Sequence, residues 1–152
     1  MTTINHNEPI LIVEDNADDA DLLRIALQKN KVTNPIHIVE NGLEAIKYLR
    51  AEAPYSERGD FPFPTIIYTD LKMPFKDGFE VLQWIKDHPQ CCVIPVIIMT
   101  SSSQDSDVRK AYTLGANSYI VKPGSLNELT EVIGLAIKYW AACLKSLVHG
   151  KC

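Results

Sequence analysis

Four places in this chain put polar side chains directly after a short apolar run, and together their side chains could do chemistry. Glu14-Asp15 follow Ile10-Leu11-Ile12-Val13, and Asp70 follows Thr65-Ile66-Ile67-Tyr68-Thr69. Thr100 follows Val96-Ile97-Ile98-Met99, and Lys122 follows Tyr119-Ile120-Val121. If the runs are parallel strands of one open sheet, their carboxyl ends share an edge, which is where such sheets bind ligands. Three carboxylates crowded at that edge repel one another and are costly to ionise together unless a cation is close. A hard divalent ion with oxygen ligands, Mg²⁺ above all, relieves this. Asp70, alone at its strand end, is then the natural nucleophile, able to form an acyl phosphate. Glu14 and Asp15 would hold the metal. Lys122 would pair its compact charge with Asp70 and then with phosphoryl oxygens, and Thr100 would donate its hydroxyl to the same oxygens. Singly, each residue has an ordinary explanation, as a helix cap, a turn residue or a solvated lysine. Their joint occurrence at strand ends does not.

The intervening segments have the spacing needed to position these residues. After the first strand, Asn16 can cap a helix whose first turn carries Asp18 and Asp19, and whose Leu22, Leu23, Ala26 and Leu27 recur at helical spacing. Pro35 opens a second strand, Ile36–Val39, and Asn41-Gly42 turns into a helix with Leu43, Ile46, Tyr48 and Leu49. A Pro/Gly turn after Asp70 leads to a helix carrying Phe79, Val81, Leu82, Trp84 and Ile85. A fourth helix ends at Gly115, and a fifth starts near Ser125 and runs past Trp140. Alternation of strand and helix predicts an α/β fold with a parallel sheet. The segment Pro54–Pro64, with three prolines, reads as a loop with its own packing. Its Tyr55, with Phe61 and Phe63, is expected at the sheet edge opposite the polar pocket, because the segment precedes the third strand.

Composition narrows the function classes. A chain of 152 residues with 46% hydrophobic and 22% charged residues fits one globular domain. With a net charge of −4 there is no broad basic footprint for nucleic acid. No apolar run is long enough to span a bilayer and no signal-peptide pattern opens the chain, so the expectation is a cytoplasmic protein without a membrane partner. Cys91, Cys92, Cys143 and Cys152 have no metal-ligand spacing and no disulfide framework, and they read as unlinked thiols.

Ile-Val-Glu14-Asp15, Thr-Asp70-Leu-Lys-Met-Pro74 with Gly78, Met-Thr100-Ser and Tyr119-Ile-Val-Lys122-Pro123 resemble, in order and spacing, the motif set of response-regulator receiver domains of two-component signalling. The resemblance covers nearly the whole chain. It implies a flavodoxin-like (βα)5 fold with strand order 2-1-3-4-5. It also implies Mg²⁺-dependent phosphorylation of Asp70 by a histidine kinase, with Mn²⁺ as a substitute ion, and slow self-dephosphorylation. By the same resemblance the backbone carbonyl of Lys72 is a metal ligand, the Lys122-Pro123 bond is cis with Pro123 structural, and Tyr119 is a rotamer switch that follows Thr100. Glu14 stands where many members carry aspartate, which leaves open whether it meets the metal directly or through water. Within the family the chain is most similar to stand-alone phytochrome-associated response regulators, which implies a phytochrome-type kinase as phosphodonor. The implied output is a downstream protein or phosphotransfer protein.

The domain reading is a tail over 1–8 and a receiver over 9–148, with no output domain. An aspartate-nucleophile phosphatase would need a second acid two positions after Asp70, where Lys72 stands, so the reading is a phosphoacceptor rather than an enzyme. A phosphorylation-independent docking module is the alternative. Finally, the last helix carries two apolar stripes. Leu126, Leu129, Ile133, Ala136, Ile137 and Trp140 suit a core face, while Val132, Leu135, Tyr139, Cys143 and Leu147 predict a homodimer through this helix and the fifth strand.

Overall fold

A computed structural model describes residues 7–143. The apolar runs form strands β1 (Ile10–Val13), β2 (Ile36–Val39), β3 (Ile66–Thr69), β4 (Val96–Thr100) and β5 (Ser118–Val121). Between and after them lie helices α1 (Ala17–Lys29), α2 (Gly42–Leu49), α3 (Gly78–Asp87), α4 (Asp105–Thr113) and α5 (Leu126–Ala142). The sheet is parallel, with order β2-β1-β3-β4-β5. The flavodoxin-like expectation is met.

Burial on both faces explains why the strands read as unbroken apolar runs. Successive side chains of a strand point to opposite faces, and the two faces carry separate cores. Leu11, Val13, Ile67, Val96 and Ile98 pack on one side with Tyr48 and Leu49 of α2, Val81, Leu82 and Ile85 of α3, and Ala111 of α4. Ile10, Ile12, Tyr68, Ile97 and Met99 pack on the other with Leu23, Ala26 and Leu27 of α1 and Leu129 and Ile133 of α5. Asn16 caps α1 by accepting a 2.9 Å hydrogen bond from the Asp19 N–H. Asp77 and Glu80 form a reciprocal capping box at α3.

Register places the chemistry. Val13 lies beside Thr69, so Glu14 and Asp70 leave adjacent strands at the same level. The Lys122 N–H donates to the Thr100 carbonyl at 2.7 Å, which brings the end of β5 level with the end of β4.

Four expectations need correction or a boundary. The Lys122-Pro123 bond is trans, and among the described residues the cis bond is Ala53-Pro54. Trans is the lower-energy state of an X-Pro bond, and Lys122 reaches its partners from it. Cys92 is disulfide-bonded, whereas Cys91 and Cys143 keep their thiols. Spacing alone says nothing of which thiols the fold brings close. Phe61 and Phe63 pack locally against the α2–α3 core as expected, but Tyr55 does not stay at the far edge. Its ring lies 5.4 Å from Tyr48 and its hydroxyl donates to Glu44 Oε2 at 2.6 Å, reaching the first turn of α2 at the polar edge. Leu147, and the stretch beyond 143 assigned to the domain, lie outside the described residues. Within them, no helix is long and apolar enough to cross a membrane.

Arg58 anchors the segment before β3. Its guanidinium donates to the carbonyls of Tyr48 and Phe61, each at 2.9 Å, and to that of Leu49, closing the C-terminal end of α2. The same guanidinium lies 4.2 Å over the ring of Phe63.

Candidate functional site

At the shared strand edge, Lys122 Nζ sits among three carboxylates: Glu14 Oε1 at 2.6 Å, Asp19 Oδ2 at 2.8 Å and Asp70 Oδ2 at 2.9 Å. Asp70 Oδ1 accepts from the Leu71 N–H at 2.7 Å, so both of its oxygens are held in place. The loop after Asp70 turns tightly enough that a Cβ on Gly78 would lie 2.1 Å from the Asp70 carbonyl oxygen, a contact only glycine avoids. Phe75 and Lys76, both at positive φ, complete that turn.

The side chains of Glu14, Lys122 and Asp70 are 7%, 17% and 11% exposed, so their charges act in a poorly solvated setting. Burial pushes the Glu14 carboxyl up to about 7; the Lys122 hydrogen bond opposes this and the Asp70 charge adds to it. For Lys122, burial acts to lower its affinity for a proton. Hydrogen bonds to Asp19, Glu14 and Asp70 outweigh that and hold it charged, above the ordinary lysine range. The two trends meet in one ammonium–carboxylate contact of 2.6 Å, where the hydrogen bond offsets part of the burial cost of the Glu14 charge.

Carboxylate oxygens of Glu14, Asp15 and Asp70 lie within 4.8 Å of one another, with Asp15 exposed to solvent. The donors are all hard oxygens, the set that suits Mg²⁺ or a similar divalent ion. Thr100, 2% exposed, lines an open pocket with Asp70, Lys72 and the loop Ser101–Gln104. Tyr119 donates its hydroxyl to the Ser102 carbonyl at 2.9 Å, two residues beyond Thr100. On the α1–α5 side, Lys122, Glu14, Asp19 and Asp70 line a cavity of about 50 Å³ whose other walls include Leu23, Tyr68, Met99 and Leu129. The Tyr68 hydroxyl is fully buried with no hydrogen-bond partner among the described residues.

The sequence-predicted residues Glu14, Asp15, Asp70, Thr100 and Lys122 thus meet at one edge, and Lys72 and Pro123 line adjoining pockets. Sequence reasoning missed Asp19 and read it only as a complement to the helix dipole. Its signal was an acid one helical turn beyond Asp15. It also missed Tyr55, which shares a groove with Glu14, Asp15 and Glu44.

Residues 10–134 match the family model of the response regulator receiver domain. The chain belongs to the response-regulator receiver family. This receiver is 33% identical over 136 residues to the response regulator Rcp1 of Synechocystis sp., covering 90% of each chain. It is 37% identical over 131 residues to the probable methanogenesis regulatory protein FilR2 of Methanothrix harundinacea, covering 86% of this chain and 82% of that one. Among solved structures, it matches the phosphorylated cyanobacterial phytochrome response regulator RcpA with a TM-score of 0.82 and 34% identity, over 90% of this chain and 95% of that one. The Mn²⁺-bound form of Rcp1 matches with a TM-score of 0.80 and 32% identity, over 91% and 97%. The receiver is therefore a member of a signalling family with phytochrome-linked relatives, and its acidic cluster is of the kind that holds a divalent metal.

Proposed function

We propose that this receiver takes a phosphoryl group on Asp70 from the phosphohistidine of a histidine kinase and signals through a phosphorylation-dependent protein contact. The observation that carries this is the meeting of Asp70 with Glu14, Asp15 and Lys122 at one sheet edge. An Asp70 carboxylate oxygen attacks phosphorus as the phosphorus–nitrogen bond breaks, the electron pair staying on the histidine nitrogen, which then takes a proton. The product is an acyl phosphate. Glu14, Asp15, Asp70 and the Lys72 carbonyl would hold Mg²⁺, with Mn²⁺ as a substitute. The ion would supply charge neutralisation at the transferring group. Lys122 and the Thr100 hydroxyl would bind the phosphoryl oxygens, so that catalysis is positioning and electrostatics. Hydrolysis of the acyl phosphate by water returns Asp70 and inorganic phosphate. Thr100 moving toward the phosphoryl group would draw Tyr119 from its bond to Ser102, a shift between two packed states.

Similarity to Rcp1 and RcpA supports a phytochrome-type kinase as the phosphodonor. A homodimer through α5 and β5 is supported by Leu135 and Tyr139, 70% and 62% exposed on one face of α5, and by Val121, 43% exposed on β5. The test is intact-protein mass after incubation with acetyl phosphate and Mg²⁺. Wild type should gain about 80 Da, one phosphoryl group, and Asp70→Asn should gain nothing. The gain should vanish with a chelator. A folded wild type that gains no mass from acetyl phosphate or from a purified kinase would replace this reading with a phosphorylation-independent docking module.

A further inference from the structure

An ammonium has three protons to donate, and in Lys122 all three are directed at carboxylates, those of Glu14, Asp19 and Asp70. Two of these belong to the acid cluster that the proposed chemistry draws on, since Glu14 and Asp70 share it with Asp15. Asp19 stands outside that cluster. It sits in the first turn of α1, where its own backbone N–H is bound by the Asn16 side chain. It is also the most hydrated of the three, 37% exposed against 7% for Glu14 and 11% for Asp70.

The cavity that Lys122 lines together with Glu14, Asp19 and Asp70 is otherwise walled mostly by apolar side chains, among them Leu23, Met99 and Leu129. Among the described residues, the other anionic partners of its ammonium are Glu14 and Asp70. Without Asp19, the lysine would lean on the two carboxylates that a cation and a phosphoryl group also need.

We propose that Asp19 is a positioning residue that tethers Lys122, keeping its ammonium at the site while its bonds to Glu14 and Asp70 are exchanged for phosphoryl oxygens. This rests on the phosphoacceptor reading above, and it adds a residue to that machinery which touches neither the metal cluster nor the acceptor. The contact with Asp19 frees the acid cluster for the cation, and it fixes where the ammonium waits for the phosphoryl group.

The test compares Asp19→Asn with Asp19→Glu and with Asp18→Asn. The last removes the same charge from an exposed neighbour in the same helical turn. Two quantities are read: the Mg²⁺ dissociation constant by calorimetry with no phosphodonor present, and the phosphorylation rate with acetyl phosphate at saturating Mg²⁺. Removing a partner that orients a group in a metal site typically costs tenfold or more, so Asp19→Asn should weaken Mg²⁺ binding and slow phosphorylation by about tenfold each. Asp19→Glu should restore most of both, and Asp18→Asn should leave both unchanged. Wild-type values in folded Asp19→Asn overturn the proposal, as does an equal loss in Asp18→Asn, which would make the effect one of net charge. If wild type itself takes no phosphoryl group, the phosphoacceptor reading is what fails. The Mg²⁺ measurement then still decides the tether, and an unchanged dissociation constant in Asp19→Asn overturns it.

Discussion

Glu14→Gln is expected to make the metal-free protein more stable, by an amount that grows with pH. Burial moves the Glu14 carboxyl from its ordinary 4.5 to about 7 on folding. In this interval the folded state binds a proton that the unfolded state has already lost, so wild-type stability falls as pH rises. The fall begins near 4.5, the unfolded value, and is complete above about 7, where both states are ionised. At about 1.4 kcal/mol per pH unit, the interval of roughly 2.5 units is worth about 3.5 kcal/mol, of which about 3 falls within the assayed range. The side chain is 7% exposed, so solvent screening removes little of this. Glutamine keeps the shape, cannot ionise and lacks the dependence. Lys122 keeps Asp19 and Asp70 as partners in the variant. The assay is urea unfolding in chelator at intervals from pH 5 to pH 8, taking the stability of Glu14→Gln minus wild type at each pH. The difference should widen with pH by about 3 kcal/mol. Adding Mg²⁺ at pH 8 should then stabilise wild type more than the variant, because binding to the folded state alone raises its stability. A difference that stays flat across the range would refute the argument, since it would mean that folding does not disfavour the charged carboxylate.

Tyr68→Phe removes a fully buried hydroxyl without a hydrogen-bond partner among the described residues, and should raise stability by about 1 kcal/mol in the same assay; a loss of that size would show that the hydroxyl is satisfied. Arg58→Ala strips three backbone carbonyls of their donor. It should cost about 2 kcal/mol and increase hydrogen exchange at the end of α2, and unchanged exchange there would argue against the anchoring role. Tyr119→Ala should keep the phosphoryl mass gain but lose the phosphorylation-dependent change in kinase affinity; an unchanged response would remove Tyr119 from the switch. Leu135→Asp, on the exposed face of α5, should shift sedimentation of the phosphorylated protein from dimer to monomer, and a wild-type monomer at high concentration would end the dimer proposal.

Much of this protein was determined by its sequence read locally. Period-two burial on both faces requires unbroken apolar strands, and parallel pairing requires the helices between them. Ile10–Val13 and Ile66–Thr69 therefore announced a sheet whose ends carry Glu14 and Asp70. Caps at Asn16, Asn41, Asp77 and Ser125 are equally local, since each side chain bonds a backbone N–H three residues on. What only the tertiary structure decided involves reach across the fold. Asp19 looked like an acid at a helix start, and it became a ligand of Lys122 because α1 and the end of β5 converge across 103 residues of sequence. Tyr55 looked confined to the far edge, yet a long side chain laid along α2 carries its hydroxyl to Glu44. The raised Glu14 carboxyl depends on how much water the packed neighbours exclude, and the trans Lys122-Pro123 bond on how the chain leaves β5. Periodicity and caps are set by residues a few positions apart. Charge, cavities and long side-chain reach are set by whatever the completed packing brings within a few ångströms.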